Sequence, residues 1–83
     1  MNPVHLETLL VIVDEGSFDV AAAVLGISPS AVSQRIKALE SSTGRVLLRR
    51  ATPVTATEAG EILVQSARRM ALSLIHISEP TRR

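Results

Sequence analysis

A chain reversal made in three residues constrains this sequence more than any other feature. One helical pattern ends at Leu25, Gly26-Ile27-Ser28 follows, and a second pattern begins at Pro29. Gly26 can take positive φ, and Ile27 is free to plug a core. Ser28 can cap the next helix with its hydroxyl, and Pro29 at the first helical position loses nothing by lacking an N–H. A helix, a three-residue glycine turn and a helix is the helix-turn-helix arrangement. The first helix is predicted over Ser17–Leu25, capped by Ser17, with Asp19 suiting the dipole and Phe18, Ala21, Ala22 and Leu25 buried. The alanines allow a neighbouring helix close. The second is predicted to run to about Ser42 and to stop at Thr43-Gly44.

That second helix has two faces. Val32, Ile36 and Leu39 make an apolar stripe at helical spacing. Ser30, Ser33, Gln34 and Lys37 make another stripe on the opposite side. The second stripe offers hydroxyls, an amide and a cation, and no carboxylate. Short polar groups let a backbone approach base edges, and a cation suits phosphate, so this face has the chemistry of a DNA-groove reader. An amphipathic helix with a merely solvated polar face is the alternative.

Charge is distributed to match. The net charge is only +1, yet residues 1–27 hold Glu7, Asp14, Glu15 and Asp19 and no Lys or Arg. Residues 35–50 hold Arg35, Lys37, Arg45, Arg49 and Arg50 against Glu40 alone. A positive footprint on one segment is the mark of nucleic-acid contact.

The flanking segments complete a small domain. Pro3–Asp14 predicts a helix with Leu6, Leu9, Leu10 and Val13 on its buried face, ended by Gly16. Val46–Arg50, a turn at Ala51-Thr52-Pro53 and a return at Val54-Thr55 predict a two-stranded wing carrying Arg49 and Arg50. Such a wing commonly holds flanking phosphate or the minor groove. Thr55 (with Glu58 as a capping box) and Thr57 are rival caps for a fourth helix. Its apolar stripe is expected to be Ala59, Ile62, Leu63, Ser66, Ala67 and Met70, more than a small domain needs and suited to pairing with a second copy.

With 83 residues, 46% apolar and a single aromatic, the chain makes one domain with an aliphatic core. The absence of Cys excludes disulfides and thiolate metal sites, and His5 and His76 form no ligand cluster. No nucleophile–base constellation or phosphate-cradling loop is present, so neither an enzyme nor a cofactor or metal site is expected. No apolar run approaches a membrane span and no basic signal start is present, so a cytoplasmic protein is expected.

These residues resemble the N-terminal DNA-binding domain of LysR-type transcriptional regulators over roughly residues 3–71. The markers are Asp14-Glu-Gly-Ser-Phe18, Ala21-Ala22 with Leu25, the whole run Ser28–Glu40, Gly44 with Leu47-Leu48-Arg49-Arg50, and Thr57-Glu-Ala-Gly60. The form Ser-Ala-Val-Ser-Gln-Arg-Ile-Lys resembles the ArgP/LysG-like branch, regulators of lysine or arginine export. The resemblance implies a mainly α winged helix-turn-helix, with a three-helix core and short two-stranded wing over residues 1–56, followed by a truncated linker helix over 57–71. It also implies a homodimer or tetramer through Ile62, Leu63, Ser66 and Met70 in the intact protein, with a monomer as the alternative for this fragment, and a lysine or arginine effector bound by a C-terminal domain absent here. DNA contacts are implied for Pro29, Ser30, Ser33 and Gln34, with Ser28 as cap, Arg35 and Lys37 flanking, and Arg49 and Arg50 on the wing. Two departures stand out: many members have Gln-Pro where this chain has Pro29-Ser30, and Phe where it has Leu48.

The last residues fit no part of this pattern. Ile75-His76-Ile77 is β-like and Pro80 breaks a helix. The run Leu72–Arg82 resembles the translation of a transposon-end adapter used in DNA sequencing libraries, so residues 72–83 are expected to be an artefactual or disordered tail. The principal expectation is thus a sequence-specific DNA-binding transcriptional regulator. Its rival is a small helical protein-interaction module without a nucleic-acid role.

Overall fold

Every helix begins on a small polar side chain that accepts from an orphan backbone N–H. In the computed structural model, which describes residues 2–78 with side chains through Met70, the order is α1 (Pro3–Glu15), α2 (Phe18–Leu25), α3 (Pro29–Thr43), β1 (Leu48–Arg49), β2 (Thr55–Ala56) and α4 (Glu58–Ser78). Asn2 caps α1 through Val4 N–H (2.8 Å), Ser17 caps α2 through Val20 N–H (3.2 Å), and Ser28 caps α3 through Ala31 N–H (3.1 Å). Thr57 caps α4 through Gly60 N–H at 3.1 Å. The rival capping box from Thr55 is not formed, because Thr55 is used as a strand residue opposite Arg49.

The turn between α2 and α3 is built as its composition predicts. Gly26 has φ +70°, and Ile27 N–H returns to the Ala22 carbonyl at 3.0 Å. The helices α1, α2 and α3 pack on one another in all three pairings, and α4 packs on α1 and β2. Leu9, Ile12, Ala21, Ala22, Val32, Ile36, Leu39, Leu47, Leu48, Val54 and Val64 form the core. The stripe predicted for α1 is only partly the observed one. Leu9 is fully buried, but so are Ile12 and Thr8, whereas Leu6, Leu10 and Val13 are half-buried. Helix α1 packs against α2 and α3 on one side and α4 on another, so burial spreads past a single stripe.

The wing is an antiparallel pair in the register Leu48↔Ala56 and Arg49↔Thr55. Its return strand starts one residue later than predicted, because Val54 N–H is taken by the Gly16 carbonyl at 2.9 Å. Helix α4 is set by a close approach. A Cβ on Gly60 would stand 2.0 Å from the Leu47 carbonyl oxygen, so only glycine lets the helix sit there. This contact makes Gly60, Val64 and Ala67 the buried line, with Ala59 and Leu63 half-buried. Of the stripe predicted for α4, Ile62, Ser66 and Met70 are therefore exposed.

Helix α4 continues to Ser78, without the break expected at Leu72 or the β character expected at residues 75–77. Between Ala71 and Ser78 there is neither Gly nor Pro. Propagating an existing helix adds one bond per residue without a new nucleation cost. Pro80 and the rest of the proposed tail, residues 79–83, lie outside the described residues. Among the described residues, no helix is long and apolar enough to cross a membrane.

Candidate nucleic-acid interface

Helix α3 presents its polar stripe outward because its apolar stripe is consumed by the core. Val32, Ile36 and Leu39 are buried. Pro29, Ser30, Gln34 and Lys37 are exposed, and Ser33 sits half-buried at the edge of that face. Ser28 is occupied as the cap. The one carboxylate of the helix, Glu40, is turned away and accepts from Leu47 N–H at 2.8 Å. The outward face is therefore left with donors, acceptors and a positive charge, which is the combination that tolerates a phosphate backbone and reads base edges.

The arginines divide into differently held groups. Arg35 does not project from the Ser30–Gln34 face. It is half-buried and donates from Nη1 to the Thr8 hydroxyl of α1 at 3.3 Å. Thr8 is fully buried, and its own hydroxyl donates to the Val4 carbonyl at 2.8 Å. A guanidinium carries five donors, so this bond leaves Arg35 able to meet phosphate from a fixed position. Arg45 and Arg49 are exposed. Arg50 is exposed too, but its guanidinium carbon stands 4.5 Å from the centroid of the Phe18 ring. Arg49 and Arg50, a plain basic pair in the sequence, thus occupy separate environments.

The wing is tied to the helix-turn-helix from two sides. The Val54–Gly16 hydrogen bond, just before its return strand, joins it to the α1–α2 corner, and Arg50 on Phe18, just after its outgoing strand, joins it to the start of α2. Helical spacing alone places Phe18 in the core and gives Thr8 no role. No sequence signal links Phe18 to Arg50 or Thr8 to Arg35, because both pairs are distant along the chain. Arg68 of α4 pairs with Asp14 of α1. The hydrogen bond and charge of Asp14 raise the pKa of Arg68 above its ordinary value. Among the described residues no group of three or more His, Asp or Glu is placed to hold a metal ion.

The description "Bacterial regulatory helix-turn-helix protein, lysR family" matches residues 3–61. The chain belongs to the LysR family. Its fold is the winged helix-turn-helix of that family's DNA-binding domains. The lysine export transcriptional regulatory protein LysG of Corynebacterium efficiens is 71% identical over 72 residues, covering 87% of this chain and 25% of that protein. Full-length LysG of Corynebacterium glutamicum, also solved with bound effector Arg, superposes with a TM-score of 0.90 at 59% identity, covering 96% of this chain and 28% of that one. The BenM DNA-binding domain in complex with catB site 1 DNA superposes with a TM-score of 0.86 at 32% identity, over 98% of this chain and 91% of that one. The chain thus spans about a quarter of the length of the LysG proteins it matches. These relatives are transcriptional regulators, not enzymes.

Proposed function

We propose that this chain is the DNA-reading domain of an effector-responsive transcriptional regulator of basic amino-acid export. The observation that carries the reading is the outward face of α3, where Ser30, Gln34 and Lys37 stand exposed while Glu40 is tied back by Leu47 N–H. The likeness to LysG supports the export assignment, and the bound Arg in the LysG structure supports a basic amino acid as effector. That effector would be sensed by a part of the regulator outside this chain. Ser30, Ser33 and Gln34 read base edges, with Gln34 best suited to adenine. Lys37, Arg35, Arg45, Arg49 and Arg50 meet phosphates and give the affinity its salt dependence.

Helix α4 supports pairing of two copies. Ile62, Ser66 and Met70 lie exposed at i, i+4 and i+8, one line on a helix, and Leu63 borders it half-buried. The run Leu72–Arg82 stays outside this functional reading. The sequence likeness to LysG of Corynebacterium efficiens spans 72 of the 83 residues. Resequencing the source locus across the codon for Ala71 tests it: a different continuation supports the adapter origin, and the same run overturns it.

The deciding experiment on function compares Gln34→Ala with the parent chain on a selected operator and on random duplex. A base-reading glutamine loses about 1–3 kcal/mol on the operator at one base position and little on random DNA. Equal losses on both remove the base-reading role. No binding to any duplex at low salt returns the chain to the class of protein-interaction modules.

A further inference from the structure

We propose that Phe18 is a positioning residue for DNA binding, a platform that holds the Arg50 guanidinium in place for a phosphate beside the recognition helix. The proposal rests on the DNA-reading function argued above.

Phe18 is the only aromatic residue of the chain, and it is placed at the first position of α2, half-buried, instead of in the closed core. An aliphatic side chain would meet the needs of that seat, since the core around it is built from Leu, Ile, Val and Ala. What the ring adds is a face. The Arg50 guanidinium carbon lies 4.5 Å from the ring centroid, inside the range of a cation–π contact.

The manner of holding matters. A carboxylate partner would occupy the N–H donors at the edge of the guanidinium and cancel its charge. A ring face grips the plane and leaves the edge donors and the charge for another anion. The ion pair found among the described residues, Arg68 with Asp14, shows the other arrangement. Backbone geometry brings the platform and the arginine together. Ser17 fixes the start of α2 by capping it, and the Gly16 carbonyl just before it accepts from Val54 N–H of the wing. Leu48 turns into the core and Arg49 faces solvent opposite Thr55, so the alternation of an extended strand returns Arg50 to the side of Leu48. A long arginine pays rotamer entropy when it is immobilised on a ligand. An arginine already laid on a ring has met part of that cost before encounter.

The test is a double-mutant cycle on the chain, using Phe18→Leu, Arg50→Ala and the pair, with binding to a labelled duplex of arbitrary sequence about three helical turns long at about 50 mM salt. Thermal melts establish that each variant is folded. Phe18→Leu is expected to weaken binding about two- to tenfold, the equivalent of ordering one long side chain, and to have no further effect in the Arg50→Ala background. Phe18→Tyr, which keeps the ring face, is expected to restore parental affinity. An equal loss from Phe18→Leu in both backgrounds would mean that the ring acts through the fold alone and overturns the proposal. Without DNA, the Arg50 δ protons should show an upfield ring-current shift that Phe18→Tyr keeps. Absence of that shift in the parent chain overturns the proposal without reference to DNA or to a variant's folding. If the shift is present but Arg50→Ala leaves duplex affinity unchanged, the platform has no role in binding and the proposal falls. The function of α3 is then judged separately by Gln34→Ala.

Discussion

Replacing Gly60 by alanine should destabilise this domain, although helix propensity alone predicts the reverse. Gly60 lies inside α4, where alanine is favoured over glycine by about 1 kcal/mol. Its new Cβ, however, would meet the Leu47 carbonyl oxygen at 2.0 Å, the Leu47 carbonyl carbon at 3.0 Å and the Ala56 Cβ at 3.3 Å. The first two obstacles are backbone and cannot rotate aside. The segment carrying them is held from several directions. Leu47 N–H donates to Glu40 at 2.8 Å, Thr57 N–H donates to the Leu47 carbonyl at 3.0 Å, and the Thr57 hydroxyl donates to the Val46 carbonyl at 2.7 Å. The Leu47 side chain is itself fully buried. Opening the contact to an ordinary separation displaces α4 by more than an ångström and strains these bonds. Overpacking of this kind costs typically about 1–3 kcal/mol, and each weakened hydrogen bond adds roughly 0.5–1.5 kcal/mol. Counting the equivalent of one such bond lost and subtracting the propensity gain, the net loss is about 0.5–3.5 kcal/mol. At roughly 4–8 °C per kcal/mol for a domain of this size, the melting midpoint should fall by about 2–28 °C. Calorimetry or a circular-dichroism melt measures it. A variant that melts at or above the parent would refute the argument that the Leu47 carbonyl, and not conformational freedom, selects glycine here.

The remaining expectations are simpler. Glu40→Ala strips Leu47 N–H of its partner beside the core and should cost about 1–3 kcal/mol in urea titrations; a change within about 0.5 kcal/mol would show that water serves equally well. The Asp14–Arg68 pair is about half exposed on both sides, so a double-mutant cycle should give it no more than about 1 kcal/mol, fading with added salt. A coupling that is large and indifferent to salt would contradict that. Ile36→Ala empties a fully buried site between the three core helices and should cost about 2–5 kcal/mol. Ile62→Glu changes an exposed position, so the monomer's stability should hold within about 0.5 kcal/mol while any concentration-dependent dimer is lost in sedimentation. An unchanged dimer moves the pairing face elsewhere.

Local chemistry made much of the architecture legible in advance. The caps Ser17 and Ser28, the glycine turn at Gly26 and the apolar stripe Val32, Ile36 and Leu39 depend on neighbours within a turn or two, so their physics is written in adjacent letters. For the same reason the outward stripe of α3 could be read before its surroundings were known, since burying one side of a helix exposes the other.

What a run of letters cannot hold is contact between distant segments. The rotational setting of α4 was decided by the Leu47 carbonyl against Gly60, and this turned Ile62, Ser66 and Met70 outward where periodicity alone joined them to Leu63 and Ala67 in one stripe. The return strand began at Thr55 because the Gly16 carbonyl claimed Val54 N–H. Arg35 and Arg50, equal in the sequence as basic residues, became different objects when Thr8 and Phe18 were brought beneath them. The sequence by itself determined where α1, α2 and α3 start and stop, to within a residue, and which face of α3 carries DNA-compatible groups, because those properties arise within single elements. Tertiary structure decided which glycine is obligatory, which face of α4 is left uncovered and how each arginine is held, because those depend on where one element's backbone and side chains meet another's.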